Sequence, residues 1–216
     1  MRTIAIGDIH GCAKALKSLI KAMNLTPADR LIALGDYIDR GPDSRAVIEQ
    51  MIELSRRCKL IPLLGNHEIM MLRALDEPGE AHFWRECGGD ATLASYGGRL
   101  ERIPAGHIQF INNCRRYYET AKHIFLHANY AADIPLDEQP DHLLFWEHLL
   151  YSLPARHESG KTAIVGHTPQ LSGEILDLGH LLCIDTYCFG TGWLTALDVQ
   201  TGQLWQADKL GKLRTS

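Results

Sequence analysis

Residues 3–36 read TIAIGDIHGCAKALKSLIKAMNLTPADRLIALGD. A short apolar run, Thr3–Ile6, breaks at Gly7-Asp8; an amphipathic stretch, Cys12–Met23, follows; a second short run, Leu31–Leu34, breaks at Gly35-Asp36. Runs of four apolar residues suit strands buried on both faces, and the striped segment between them suits a helix laid on a sheet. The pattern repeats outward. Asp43–Arg57 is amphipathic behind Pro42 with Asp43 as a cap, Leu60–Leu64 is a third apolar run, and Glu68–Leu75 is a third helical stretch. Such alternation predicts an α/β fold rich in βαβ units. Later runs at Ile124–Leu126, Ala163–Val165, Leu181–Ile184 and Leu194–Leu197 have shorter connections, so the last third is expected to hold more strand than helix. A mixed sheet, or two packed sheets flanked by helices, accommodates both halves.

The 216 residues are 45% hydrophobic and 22% charged, which fits a globular chain and excludes collagen-like and disordered classes. No repeat or linker-like tract divides them, so a single domain over residues 1–216 is expected. With 22 basic against 26 acidic residues and no run of either sign, the chain lacks the electrostatic footprint of a nucleic-acid or acidic-lipid binder. The N-terminal apolar run is too short for a signal peptide or a membrane span, which points to the cytoplasm. Six scattered cysteines (Cys12, Cys58, Cys87, Cys114, Cys183, Cys188) contain no CxxC pair and are expected to be reduced and mostly buried.

The chemistry lies where the apolar runs stop. Asp8 and His10 follow the first run, Asp36 the second, Asn66 the third, His127 the run at 124–126, and His167 the run at 163–165. Taken singly, a Gly-Asp after a strand is an ordinary turn; turn chemistry favours Ser, Asn and Asp but not His, so five such ends together mark a site. In α/β folds the carboxyl ends of strands form the ligand crevice. Glycine before Asp8, Asp36, Asn66 and His167 lets the backbone turn sharply and approach closely. Asp8 and His10, two apart in an extended segment, should face one side while Ile9 packs. Two carboxylates, one carboxamide and three imidazoles suit Mn²⁺, Fe or Zn²⁺, and are too many for one zinc. A pair of metals about 3.5–4 Å apart, sharing one carboxylate, would use all six and leave room for a bridging hydroxide. Two divalent cations against two carboxylates and a hydroxide leave the site net positive, which attracts phosphate.

Gly7-Asp8-Ile9-His10-Gly11, Gly35-Asp36-Tyr37-Ile38-Asp39-Arg40-Gly41 and Gly65-Asn66-His67-Glu68 resemble the GDxHG, GDxxDRG and GNHE motifs of the phosphoprotein phosphatase branch of the calcineurin-like metallophosphoesterases. His127-Ala128, Gly166-His167 and Ile184-Asp185-Thr186 resemble the later motifs, and the size and Gly88-Gly89 region are similar to the compact bacterial and bacteriophage lambda type of serine/threonine phosphatase. The resemblance implies two packed mixed β-sheets flanked by helices. It implies that Asp8 and His10 bind one metal, Asp36 bridges, and Asn66, His127 and His167 bind the other, with Mn²⁺ as the activating ion. It further implies that His67 is the general acid, that Asp39 orients or charges its imidazole, and that Arg40 holds phosphoryl oxygens. Phage-type relatives carry a second phosphate-contacting arginine just after a Trp; here Trp146-Glu147-His148 has histidine there, leaving His148 and Arg156 as candidates.

The activity this resemblance implies is metal-dependent hydrolysis of a phosphomonoester, by in-line attack of the bridging hydroxide on phosphorus, with a phosphorylated protein or peptide as substrate. The alternative is a diadenosine tetraphosphate or related nucleotide polyphosphate hydrolase; Glu68 after Asn66-His67 leans toward the phosphatase. A metal-bound interaction module without catalysis would need none of His67, Asp39 and Arg40. Residues 79–119 are expected to border the site, with Arg99 and Arg102 within reach of an acidic substrate, and the polar tail Asp208–Ser216 to fray. If His67 protonates the leaving group, His67→Asn slows alkyl phosphoesters more than aryl ones. Parallel steady-state assays on the two substrates check this, and equal losses would remove the general-acid role.

Overall fold

Strict period-two alternation decides how the strands pack. In β1 (Thr3–Ile6), Ile4 and Ile6 join a helix-covered core while Ala5 points the other way; in β2 (Arg30–Ala33), Leu31 and Ala33 join the first core and Ile32 the second. Both faces of each strand are therefore dry, which is why the sequence shows continuous apolar runs rather than alternation. The structure is a computed structural model and describes residues 1–215.

Between and after these strands come α1 (Ala13–Met23), α2 (Ser44–Leu54), β3 (Lys59–Pro62) and α3 (Asn66–Asp76). A mostly helical segment follows, with α4 (Ala81–Trp84), a kinked turn at Arg85–Gly89 where Gly88 takes φ 115°, α5 (Asp90–Ser95) and α6 (Ala105–Asn112). The remainder holds β4 (Tyr117–Glu119), β5 (His123–Leu126), α7 (Asp141–Trp146), β6 (Thr162–Val165), β7 (Leu176–Asp177), β8 (Leu181–Cys183), β9 (Asp185–Thr186), β10 (Trp193–Asp198) and β11 (Leu204–Ala207). Helix ends follow local chemistry. Asp43 caps α2 by accepting the Ala46 N–H at 3.0 Å, and α1 stops at Asn24, which takes the left-handed conformation (φ 45°).

Two mixed sheets result, ordered β11-β10-β1-β2-β3, with β9 on β10, and β4-β5-β6-β8-β7. β1, β2 and β3 run parallel, as do β5, β6 and β8, and hairpin-type partners close the flanks. The sheets face each other across Ala5, Ile32, Leu34, Ile61, Phe125, Ile164, Ile184 and Leu197. α1, α2 and α3 cover the outer face of the first sheet, and α7 with its flanking loops covers the second. An isolated bridge from Leu63 to Arg115 ties one sheet to the other. The α/β architecture of two packed mixed sheets flanked by helices is thus the expected one.

The tail differs from expectation. Leu213 bridges Ala207, Ser18 donates to the Gly211 carbonyl at 2.7 Å, and Arg214 binds Gln206 and Glu174, so the chain is tied down as far as Arg214; Ser216 lies outside the described residues. Of the basic residues that suggested fraying, Arg214 finds acceptors on Gln206 of β11 and on Gly173 and Glu174. All six cysteines are free and four are buried. Among the described residues no helix is long and apolar enough to cross a membrane. Phe125, fully buried between the sheets, should cost about 3–5 kcal/mol when changed to alanine, read as a lowered denaturant midpoint with an unchanged slope.

Candidate metal centre

β1, β2 and β3 of one sheet and β5 and β6 of the other end along the same edge of the sandwich. Asp8, Asp36, Asn66, His127 and His167 extend from those ends and meet: the His167 N–H donates to both oxygens of Asp8 at 3.1 and 3.0 Å, and His127 Nε2 lies 3.5 Å from Asp36 Oδ1. Two glycines make the approach possible. A Cβ on Gly65 would stand 2.2 Å from Asp36 Oδ1, and one on Gly166 only 2.1 Å from Asp8 Oδ1. Of seven non-glycine residues with positive φ among the described residues, five are His10, Asp36, Asp39, Arg40 and His167. Backbone strain is therefore concentrated at this site and held there by its surroundings.

His10 belongs to that strained set (φ 43°), so it does not reach the cluster by extended alternation from Asp8 as the sequence suggests. A turn carries it there instead. The Ile9 and His10 N–H groups both donate to the Asp36 carbonyl, at 2.9 and 2.8 Å, which locks the loop after β1 to the loop after β2. Glu68 locks the loops after β2 and β3. Its buried carboxylate accepts the N–H groups of Asp36, Tyr37, Ile38 and Gly65 at 2.9, 2.8, 3.3 and 3.1 Å. Burial, with the Asp36 charge adding, pushes the Glu68 carboxyl up to about 8.

Three imidazoles are oriented by peptide carbonyls. His10 Nδ1 lies 2.9 Å from the Ile38 oxygen, His127 Nδ1 2.8 Å from that of Leu34, and His167 Nε2 3.2 Å from that of Trp146. A carbonyl can only accept, so each of these nitrogens carries the proton and the opposite nitrogen turns a lone pair inward. The inward end of the Asn66 amide lies 3.0 Å from His127 Nε2, 3.2 Å from His167 Nδ1 and 3.3 Å from both oxygens of Asp36. Its neighbours all present lone pairs; turned nitrogen-inward the amide has only two N–H groups for four such atoms, whereas turned oxygen-inward it joins them as a donor set that a cation satisfies. Two triads, His10-Asp36-His67 and Asp36-His127-His167, have ligand atoms within 4.8 Å of one another and share Asp36; the first takes in His67, expected to be the acid, and Asp8, expected to be a ligand, stands in neither. The donor set therefore fits two cations bridged by Asp36.

Electrostatics agree. Burial lowers His10, His127 and His167, the last to about 3, so these imidazoles are neutral and available as ligands. Burial alone would raise Asp36; against it stand the rings of His127, His67, His10 and His167, whose protonated forms would hold its carboxyl below the ordinary carboxylate range. Asp8 has no such company; burial, then Asp185 and Asp36, push it well above its ordinary value.

His67 and Arg40 flank the cluster. His67 Nδ1 meets Asp39 Oδ2 at 2.6 Å, and its Nε2 faces Asp36 at 3.9 Å. Arg40 is exposed, with its guanidinium 4.8 Å from the Phe189 ring centroid and its Nη1 donating to His10 Nε2 at 3.1 Å. That cation on an imidazole lone pair marks where positive charge is accepted.

His148 stands against the cluster, its ring centroid 4.3 Å from that of His167. Arg156 is exposed and its guanidinium donates to the Gly160 carbonyl at 3.2 Å, with no contact to the cluster. Arg99 pairs with Glu101 and Arg102 with the Gly97 carbonyl, so neither reaches toward the site. Asp185 was missing from the sequence-derived set. It is buried, its Oδ1 accepts the Tyr187 N–H at 3.1 Å, its Oδ2 has no partner, and burial pushes its carboxyl up to about 7. The signal existed, since Asp185 follows the Leu181–Ile184 run as Asp8 follows its own. Gly166→Ala should displace Asp8 while the fold survives, weakening Mn²⁺ binding by roughly 10–100-fold in titration calorimetry.

The profile of the calcineurin-like phosphoesterases matches residues 1–192. The bis(5'-nucleosyl)-tetraphosphatase (symmetrical) of Acidovorax sp. (strain JS42) is 41% identical over 75 residues, 34% of this chain and 26% of that protein. The match thus spans about a quarter of that relative's length. Among solved structures, one provisionally described as a diadenosine tetraphosphatase superposes with a TM-score of 0.74 at 20% identity, covering 95% of this chain and 92% of its own. A cold-active protein tyrosine phosphatase superposes with a TM-score of 0.70 at 17% identity, covering 99% and 78%. These structures share the fold, and the profile match over most of the sequence places the chain in the calcineurin-like phosphoesterase family.

Proposed function

We propose that this metallophosphoesterase cleaves a phosphoanhydride bond of dinucleoside tetraphosphates, activated by Mn²⁺ held by Asp8, His10, Asp36, Asn66, His127 and His167. The similarity to the Acidovorax tetraphosphatase carries this reading over the phosphatase expected from sequence. Glu68, which leaned the other way, binds backbone N–H groups and is fully buried, so its identity reports the loop and not the substrate. A surface feature supports the nucleotide. Leu150, Tyr151 and Leu153 are 80%, 81% and 60% exposed, and the Tyr151 ring lies 5.9 Å from His148, which packs on His167. An exposed aromatic beside a phosphate-binding centre suits a nucleobase.

Bound divalent ions would supply Lewis acidity and an activated water. Arg40 binds the non-bridging oxygens of the phosphoryl group, braced from behind by Phe189. Asp39 takes the Nδ1–H of His67 and so leaves Nε2 as the atom that holds a proton for the departing oxygen. His148 offers a further hydrogen bond to phosphate in place of the missing arginine.

A second reading, a serine/threonine phosphatase, is favoured by one observation, the His67–Asp39 pair. A serine alkoxide is a poor leaving group and needs a proton far more than a nucleoside diphosphate does. Chelator-stripped protein reloaded with Mn²⁺ and given diadenosine tetraphosphate together with a phosphoserine peptide separates the two. Faster nucleotide release is expected, and faster phosphate release from the peptide would replace the first reading with the second. Tyr151→Ala should raise KM for the dinucleotide roughly 10-fold, within the ~1–3 kcal/mol of a base–aromatic stack, and leave kcat on 4-nitrophenyl phosphate unchanged.

A further inference from the structure

Asp39 is fully buried at φ 71°, and nearly everything that holds it comes from one segment, residues 84–92. Trp84 Nε1 donates to Asp39 Oδ2 at 2.8 Å, the same oxygen that His67 meets at 2.6 Å. The Thr92 hydroxyl donates to Asp39 Oδ1 at 2.6 Å and accepts the Asp39 N–H at 2.8 Å. Ser44 completes the set: since the Thr92 proton goes to Asp39, the Ser44 hydroxyl is the donor in their 2.8 Å contact. The same segment reaches Arg40, whose N–H donates to the Gly88 carbonyl at 3.1 Å; a Cβ on Gly88 (φ +115°) would stand 2.8 Å from Arg40 Cγ. Gly89 lies flat on the Trp84 indole, where a Cβ would come within 2.5 Å of the ring. A kink at Gly88 (φ 115°, ψ 5°) breaks the helical run between Trp84 and Thr92, and both side chains reach one carboxylate.

We infer that Trp84 and Thr92 are positioning residues of the reaction: their two donors fix the rotamer of Asp39, and Asp39 in turn fixes the tautomer and tilt of the His67 imidazole. The inference rests on the reading of His67 as the acid at the leaving oxygen. A carboxylate with donors on both oxygens cannot rotate without leaving one of them unpaired in a dry site, so the imidazole is aimed before substrate arrives. Residues 79–119, expected to border the substrate, thus act on it from behind. Exposed His82 and Phe83 face water, whereas the working contacts of the segment turn inward.

Three variants test this: Thr92→Val, which keeps the shape and removes the hydroxyl; Trp84→Phe, which removes the N–H; and Thr92→Ser, which keeps the hydroxyl. The first readout is the downfield proton resonance of the His67–Asp39 hydrogen bond in metal-free protein, assigned by its loss in His67→Asn. Thr92→Val and Trp84→Phe should each shift or abolish it, and Thr92→Ser should restore it. The second readout is kinetic, in the Mn²⁺-loaded enzyme. Thr92→Val and Trp84→Phe should lower kcat on an alkyl phosphate about 10-fold and on 4-nitrophenyl phosphate less than about 3-fold, with KM within about 2-fold of wild type on both. An unchanged resonance in both variants, or equal losses on the two substrates, overturns the assignment. Wild-type protein that turns over neither these phosphoesters nor diadenosine tetraphosphate fails the proposed function instead, while the resonance still decides the positioning role. Should Thr92→Val not fold, Trp84→Phe carries the same two readouts.

Discussion

Five carboxylates, those of Asp8, Asp36, Asp39, Glu68 and Asp185, are buried at one edge of the sandwich. Removing that much negative charge from water is the constraint on which everything nearby depends. The protein answers it differently for each group. Glu68 is surrounded by backbone N–H groups and Asp39 by side-chain donors; Asp36 has four imidazoles about it, while against the burial that raises them Asp8 keeps the His167 N–H and Asp185 the Tyr187 N–H. Full balance comes only with cations, and the inward lone pairs of His10, His127 and His167 mark where those cations belong.

That division of labour separates scaffold from chemistry. Glu68 touches no open space, yet without it the Asp36 and Asn66 loops have no common acceptor, so a residue inside a family motif is structural. Asp39 belongs to neither class fully. It is as buried as Glu68, but one of its oxygens meets the His67 imidazole, which the proposed reaction sets at the leaving group.

Much of this was legible in the chain. The first three strands and helices follow from apolar runs and stripes because each strand is dry on both faces, and the metal edge follows from Asp, Asn and His placed after glycine at strand ends. What stayed hidden depends on contacts between distant residues. Trp84 and Thr92 lie 45 and 53 positions from the carboxylate they hold, and nothing local in their segment announces it. The tail looked free because its partners, Ser18, Gln206 and Glu174, come from elsewhere in the chain. The conformation of His10 was misjudged for a related reason. Spacing suggested extension, but the carbonyl of Asp36, a strand away, bends the loop. Arg156, a candidate by sequence, instead holds the Gly160 carbonyl four residues on.

The acceptors that orient His10, His127 and His167 are the peptide oxygens of Ile38, Leu34 and Trp146. A point mutation at any of those three positions changes a side chain and leaves the oxygen where it was. The aim of the ligands is therefore inherited with the backbone rather than with particular codons, and sequence drift around the centre can be extensive before its geometry is lost.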